Sequence, residues 1–432
     1  MLISFAFSNF LSFKDKQTLD LTPEPLRDFR NYLHTASLFD PNLRLLKTTA
    51  IYGHNNCGKS NLIKAFTFFT DLIFNSFSLG KNDNYIDFEP FRLNTYSHEQ
   101  PTLFEIVFVL AETKYRYGFE IRRGQVLSEW LFYAEPKVRE NYLFIRNGPE
   151  AKFSKLWNKI SDNRVEQSIL FTKSFHLLLS VLISQDNIPR IDVVEKWFRG
   201  NIVISDVSGE QYAGRAAMIM AQEDYRSLVN KFISSADLGF VGIQDKIKQQ
   251  AGKSLDQDLL NIWYRNEKIN FELYSVHEIY DELYRKAGTL FFELLKSESS
   301  GTIKYFILSC YLAFAIRHGH LVIIDELDSK FHVLLLQFLV KTYNDGSINP
   351  AGSQLIFTTH NTALLSNKLF RRDQFLVVEK SDYGESSIRR LHMSDKPIRS
   401  DASLEKEYKR GRLGGVSLKV SQITMDFEGD AG

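Results

Sequence analysis

Disulfide chemistry is nearly closed to this chain, because its 432 residues include two cysteines, Cys57 and Cys310. Two are too few for a disulfide framework and fit a reducing compartment. No Cys/His spacing of the zinc-holding kind occurs, and no nucleophile elbow supports Ser-His-Asp catalysis. Excess charge of one sign is also lacking: 53 Lys and Arg against 52 Asp and Glu leave a net charge of +1. Any nucleic-acid surface therefore has to be a local patch rather than a global field. No apolar run is long enough to cross a bilayer. The best, residues 305–316, contains Ser309 and Cys310 and stops at Arg317, so it predicts a buried helix. The opening MLISFAFSNFLSF alternates, without a basic n-region or a small-residue cleavage site. It predicts a strand, and a cytoplasmic location is expected. Repeats, low-complexity tracts and sustained heptads are missing too.

What remains is an ordinary globular composition, 44% hydrophobic and 24% charged, with 35 Phe among 13% aromatics. The length allows two or three structural units. Two-residue periodicity through Leu2, Phe5, Phe7 and Phe10, then Phe13, Leu19 and Leu21, predicts paired strands. Residues 45–52 form another β-type run that opens at Gly53 into a Gly/Asn loop, after which 61–74 have helical spacing. FEIVFVL, YRYGFEI and VLSEWLFYA predict three further strands. After about Pro136 the pattern turns mainly helical, with a short β-like stretch at 202–204. A helix after Gly301 leads to the apolar strand HLVIIDE, and 354–358 and 374–379 complete the expected core strands. The expected organisation is one part of a core over 1–138, a mainly helical insertion over 139–280, the second part of the core over 281–385 and a basic tail over 386–432.

Gly53-His54-Asn55-Asn56-Cys57-Gly58-Lys59-Ser60 matches G-x-x-x-x-G-K-[ST] without a mismatch, and Asn61 continues into the predicted helix. Glycines let such a loop wrap a phosphate chain with its N–H groups pointing inward at a helix start. Lys59 would reach the β- and γ-phosphates of ATP, and the Ser60 hydroxyl would ligate Mg²⁺. The strand before and the helix after are the context this reading requires. Further on, HLVIIDE ends in Asp325 and Glu326, at the carboxyl end of a strand where open α/β sheets place ligands. Asp325 would bind Mg²⁺, and Glu326 would orient or deprotonate the attacking water.

Two more features choose among nucleotide-binding classes. Ser299-Ser300-Gly301-Thr302 opens an apolar helix, 26 residues before Asp325. Its N–H groups and hydroxyls suit the γ-phosphate of an opposing subunit's nucleotide, although a simple N-cap explains the same residues. His360 follows the predicted strand 354–358, where it can contact the γ-phosphate or the attacking water. The long separation of Lys59 from Asp325 implies a core split by an insertion. That layout fits an ABC-type head of the repair and chromosome-maintenance kind better than an AAA+ ring ATPase. The expected fold is therefore α/β: an ABC-type ATPase head (P-loop NTPase) with a mixed β lobe, an α/β lobe and a mainly helical insertion.

The chain resembles bacterial stand-alone ABC ATPases of the abortive-infection, OLD-like (overcoming lysogenization defect) family, of the RloA/AbiLi type. SFAFSNFLSFKD, GHNNCGKSN, FEPFRLN, PTLFEIVFVL, YRYGFEI, SSGTIKYF, VIIDELDSKFH, IFTTHN, RRDQFLVVEK and YKRGRLGG carry the resemblance. It spans both parts of the core and the tail but hardly the insertion. It implies phosphate and Mg²⁺ roles for Lys59 and Ser60, and metal and catalytic roles for Asp325 and Glu326. It also implies a trans signature at Ser300 and Gly301, a switch at His360, and Asp328 in a loop that communicates across a dimer. The Q-loop glutamine cannot be placed; Gln100 is the nearest candidate. The family is implicated in phage defence, often beside an effector. About fifty residues after RRDQFLVVEK leave no room for the TOPRIM nuclease domain of full OLD proteins, so a nuclease is expected to be a separate chain.

Between Arg389 and Arg412 stand eight Lys/Arg and four Asp/Glu. This run could hold a DNA or RNA backbone, or be a solvated tail or docking site. Arg122-Arg123 and Arg371-Arg372 read as ordinary surface or inter-lobe ion-pair residues. Three functions stay open: an ATP-sandwich homodimer regulating a separate effector in a defence system, a DNA-maintenance ATPase binding DNA directly, and a nucleotide-dependent scaffold with little turnover. No membrane partner is expected.

Overall fold

The computed structural model describes residues 1–26, 29–36, 38–78, 86–185, 187–205, 210–236, 238–247, 271–328, 333–366, 368–390 and 403–410. The alternating start forms the strand Leu2–Ser8, which pairs antiparallel with Gln17–Asp20 on one side and Thr102–Leu110 on the other. From there Thr113–Arg122, Gln125–Ala134, Asn141–Asn147 and Glu150–Phe153 extend it as a meander into a seven-stranded sheet. Its apolar face packs on the helix Lys59–Asn75, where Phe5 meets Phe66 edge-on at 5.1 Å and Phe119 stacks on Phe69 at 5.5 Å.

A second sheet has six strands in the spatial order Ile202–Ile204, Leu321–Ile324, Gln354–Thr358, Thr48–Tyr52, Phe375–Lys380 and Ser386–Arg390. The first five are mutually parallel and the last is antiparallel. Their near-continuous apolar runs are what a sheet covered on both faces requires. Because side chains alternate, each run feeds two cores. Tyr52, Val322, Ile324, Phe357 and Val377 enter one with the helix Ser300–His318. Ile51, Leu321, Ile323, Ile356 and Val378 enter the other, with the helix Lys59–Asn75 and the antiparallel sheet. Ser300–His318 is buried from Tyr305 to Ile316, so this apolar run is a core helix. Among the described residues no helix is long and apolar enough to cross a membrane.

The expectation for 139–280 needs correction. Its described helices lie between Lys155 and Ser235. The strands Asn141–Asn147 and Glu150–Phe153 before them complete the antiparallel sheet. Ile202–Ile204 is an edge strand of the parallel sheet, and Gly242–Ile247, Phe271–Tyr280 and Lys286–Glu293 form a separate three-stranded sheet. The range read as a tail likewise begins with a core strand, Ser386–Arg390. Arg371 is no surface residue: it is fully buried in an ion pair with Asp373, 2.7 Å away. Residues 411–415 of YKRGRLGG and the SKFH of the acidic segment lie outside the described residues.

Candidate nucleotide-binding site

The loop 53–60 leaves the carboxyl end of Thr48–Tyr52 and enters the helix Lys59–Asn75 at Gly58. Both glycines are dictated by the backbone. Gly53 has φ +155° and Gly58 φ +116°, conformations that L side chains rarely adopt. A Cβ on Gly53 would come within 2.5 Å of Cys57 Sγ and the Val378 carbonyl, and one on Gly58 within 2.5 Å of Ser386 Oγ. Asn56 takes a left-handed φ of 63°, which asparagine tolerates. Gly58 offers no side-chain cap, so the first N–H groups of a 17-residue helix lack intrahelical acceptors. Such a helix start is suited to anionic oxygens. Asn55, Asn56 and Ser60 are exposed, whereas Cys57 is buried.

Lys59 is buried, and its Nζ donates to the carbonyls of Gly53 (2.9 Å) and His54 (3.1 Å). Burial lowers its pKa, opposed by the carboxylates of Asp325, Glu326 and Asp328. The ammonium and the three acids thus share one field. Asn61 donates to Ser12 Oγ at 2.9 Å, and Ser386 Oγ donates to the Cys57 carbonyl at 2.6 Å. Ser12 and Ser386 brace the loop from outside. Sequence patterns missed both, because isolated serines carry no motif.

The acids emerge where Leu321–Ile324 ends. Between that strand and the loop's strand lies Gln354–Thr358, so Thr358 stands between the acidic pair and the loop. Its hydroxyl donates to Asp325 Oδ1 and accepts from the Glu326 N–H at 2.7 Å. Thr358 therefore fixes both acids, another role no sequence pattern revealed. Glu326 is exposed with φ +50°, a left-handed backbone rare for a side chain of this type. Asp328 Oδ2 accepts from the His360 N–H at 3.1 Å, while its buried Oδ1 has no hydrogen-bond partner. His360 is exposed, and burial of its ring followed by the nearby Lys59 lowers its pKa from 6.5, opposed by Asp328, Glu326 and Asp325.

These features fit a nucleotide's phosphates and Mg²⁺. The glycine cradle would fill if either glycine carried a Cβ, and Asp328, one of whose oxygens is buried without a partner, acts electrostatically on the Lys59 ammonium. Ser60 and Asp325 are the hydroxyl and carboxylate that would hold the ion. Among the described residues no group of three or more His, Cys, Asp or Glu is placed to hold a metal alone. Mg²⁺ commonly takes one or two protein ligands and completes its shell with phosphate oxygens and water.

Ser299, Ser300 and Gly301 lie elsewhere. Ser299 caps the helix Ser300–His318, its hydroxyl accepting from the Thr302 N–H at 3.1 Å. Ser299 and Ser300 are exposed, and no hydrogen bond of Ser299 reaches the loop. Gln100 sits before the strand Thr102–Leu110, its carbonyl accepting from Asn9. Among the described basic residues of the 389–412 run, Arg389 pairs with Glu379, Arg390 with Glu24, Lys409 with Glu405 and Arg410 with Glu407.

A phosphate-wrapping loop faced by carboxylates and a histidine from neighbouring strand ends defines a P-loop ATPase of mixed α/β architecture. Residues 48–366 match the family described as "AAA domain, putative AbiEii toxin, Type IV TA system", and the chain belongs to it. That family match agrees with the abortive-infection resemblance drawn from the motifs. No functionally curated protein matches the sequence. Similar solved structures include an Smc head bound to the C-terminal winged-helix domain of ScpA, at 13% identity and TM-score 0.46, covering 94% of this chain and 99% of that one. A Pyrococcus yayanosii Smc head with a coiled coil and joint is 10% identical at TM-score 0.36, covering 90% and 97%. The recombination mediator protein RecF is 12% identical at TM-score 0.30, covering 90% and 98%.

Proposed function

We propose that this chain is an ABC-class ATPase that binds ATP with Mg²⁺, closes head to head with a second copy on two nucleotides, and is reset by slow hydrolysis. In this reading it is the sensor and regulatory ATPase of a bacterial anti-phage, abortive-infection system and controls a separate effector, with a nuclease as the leading candidate. The observation that supports it most is the meeting of the glycine loop with Lys59, the acids Asp325 and Glu326 tied to Thr358, and His360 at the adjoining ends of three parallel strands. ATP and Mg²⁺ supply the scissile anhydride and the neutralising charge. Gly53, Asn55, Asn56, Cys57, Gly58 and Asn61 shape the cradle, and Lys59 holds the phosphates. Ser60 and Asp325 hold the ion. Glu326 orients or deprotonates the attacking water, and His360 contacts the terminal phosphate or that water.

Ser299, Ser300 and Gly301 complete the site of the opposing copy. The length of their helix supports this. Nineteen residues span roughly 28 Å, whereas the four-residue strand that follows spans roughly 13 Å. Folded back through Gly319 and His320, the helix start overshoots the strand end and is left exposed.

Sedimentation of Glu326→Gln with ATP tests the reading. A stable dimer that Lys59→Ala or Ser300→Arg abolishes is expected; a monomer at saturating ATP refutes the trans contact. Salt-dependent DNA affinity of the isolated wild-type protein would instead favour the DNA-maintenance alternative.

A further inference from the structure

The helix Leu404–Lys409 follows 12 residues outside the description and returns to the nucleotide loop. Leu404 and Tyr408 bury themselves in the core that also contains Tyr52, leaving Tyr408 only 7% exposed. Its ring meets Tyr52 edge-on, centroids 5.6 Å apart. Tyr52 directly precedes Gly53, the first residue of the loop, and Cys57 is within electrostatic reach of the Tyr408 hydroxyl. One turn earlier, Glu405 accepts from Thr362 Oγ1 at 3.4 Å, in the turn just beyond His360. Tyr52 closes the circuit by donating from its hydroxyl to the Asn361 carbonyl at 3.1 Å. Glu405 is further tied to Lys409 within the helix.

One short helix thus touches the two segments that must adjust when phosphate occupies the site: the entrance of the loop and the turn that carries the histidine. Gly53 has room for no other side chain and a φ that L side chains rarely adopt, so a ring packed on Tyr52, the residue before it, bears on the loop's entrance. We propose that Leu404–Lys409 is a latch on the nucleotide loop, with Tyr408 positioning Gly53 through Tyr52 and Glu405 holding the turn after His360, so that nucleotide loading is transmitted to the C-terminal segment. This rests on the ATP-binding reading above but not on dimerisation.

The helix carries its own reporters, because trypsin cuts after Lys409 and Arg410. In the full-length protein with ATP and Mg²⁺, cleavage there is expected to change at least threefold relative to the nucleotide-free protein. Tyr408→Ala is expected to lose that dependence and to weaken ATP binding about tenfold, with kcat changed less than KM. Tyr408→Phe keeps the ring that packs on Tyr52, so it should retain the nucleotide dependence of cleavage and nearly all of the affinity. Cleavage indifferent to nucleotide in a wild-type protein that binds ATP overturns the latch and leaves the ATPase reading intact. A Tyr408→Ala protein that melts like wild type and binds ATP equally well does the same. A wild-type protein that cannot bind ATP, when checked beside Lys59→Ala, overturns the ATPase reading itself.

Discussion

Thr358 concentrates at one hydroxyl what the acidic pair needs. It donates to Asp325 and receives the Glu326 N–H, so one small side chain orients the metal-side acid and the strained turn that presents the base-side acid. Thr358→Val keeps the shape and removes both bonds. Buried groups left unpaired cost about 1–3 kcal/mol each, so kcat for ATP hydrolysis is expected to fall by roughly tenfold or more, while Thr358→Ser retains most of it. Steady-state kinetics beside circular dichroism check both variants. Gly58→Ala is the steric counterpart. Its Cβ would strike Ser386 Oγ at 2.5 Å at a φ of +116°, so ATP binding, read by fluorescent-nucleotide titration, should be lost. Adding Ser386→Ala should relieve that contact but neither the 2.9 Å approach to Ser12 Oγ nor the backbone strain, leaving binding well below wild type.

At the scale of elements, legibility follows the strength of local constraint. The loop 53–60 was plain in the sequence because its chemistry forces residue types at fixed spacing, and HLVIIDE because a strand buried on both faces must be apolar throughout. The strand order was not legible. Nothing local in residues 354–358 says that they insert between the acidic strand and the loop strand, yet that insertion brings Thr358 to the acids. Ile202–Ile204 was visible as a β-like stretch, but its partner, the acidic strand, lies more than a hundred residues away. The helix Leu404–Lys409 was hidden inside a run that composition marks only as basic. The turn Gly319–His320 carries a stability prediction. Burial, with His318 nearby, pushes the His320 pKa from 6.5 down to about 3. The unfolded chain therefore binds a proton below pH 6.5 that the folded chain refuses, and stability drains as pH falls from 6.5 toward 3. The slope for one group is at most about 1.4 kcal/mol per pH unit. Denaturant titrations across that window should show a shallower decline for His320→Gln.

For the molecule as a whole, the two cores meet through the parallel sheet, and its far edge is tied by buried charge. Arg371 and Asp373 pair with both side chains fully buried, and Asp373 also accepts from the Glu24 N–H at 2.9 Å. Arg371→Met leaves Asp373 ionised and unpaired, so a loss of about 3–5 kcal/mol in unfolding free energy is expected. The double variant Arg371→Met, Asp373→Leu should recover most of it. Sequence analysis left Arg371 as either a surface or an ion-pair residue, because charge usually lies outside unless paired; only the folded chain supplies its partner, Asp373. The strand order also bears on biosynthesis. The strands that flank the loop's own strand, 354–358 and 375–380, are translated only after the whole stretch between them and residues 53–60. A growing polypeptide therefore carries the phosphate loop on a strand with neither neighbour until those later residues arrive, and an intermediate that lacks them should have no competent nucleotide pocket to offer the cell.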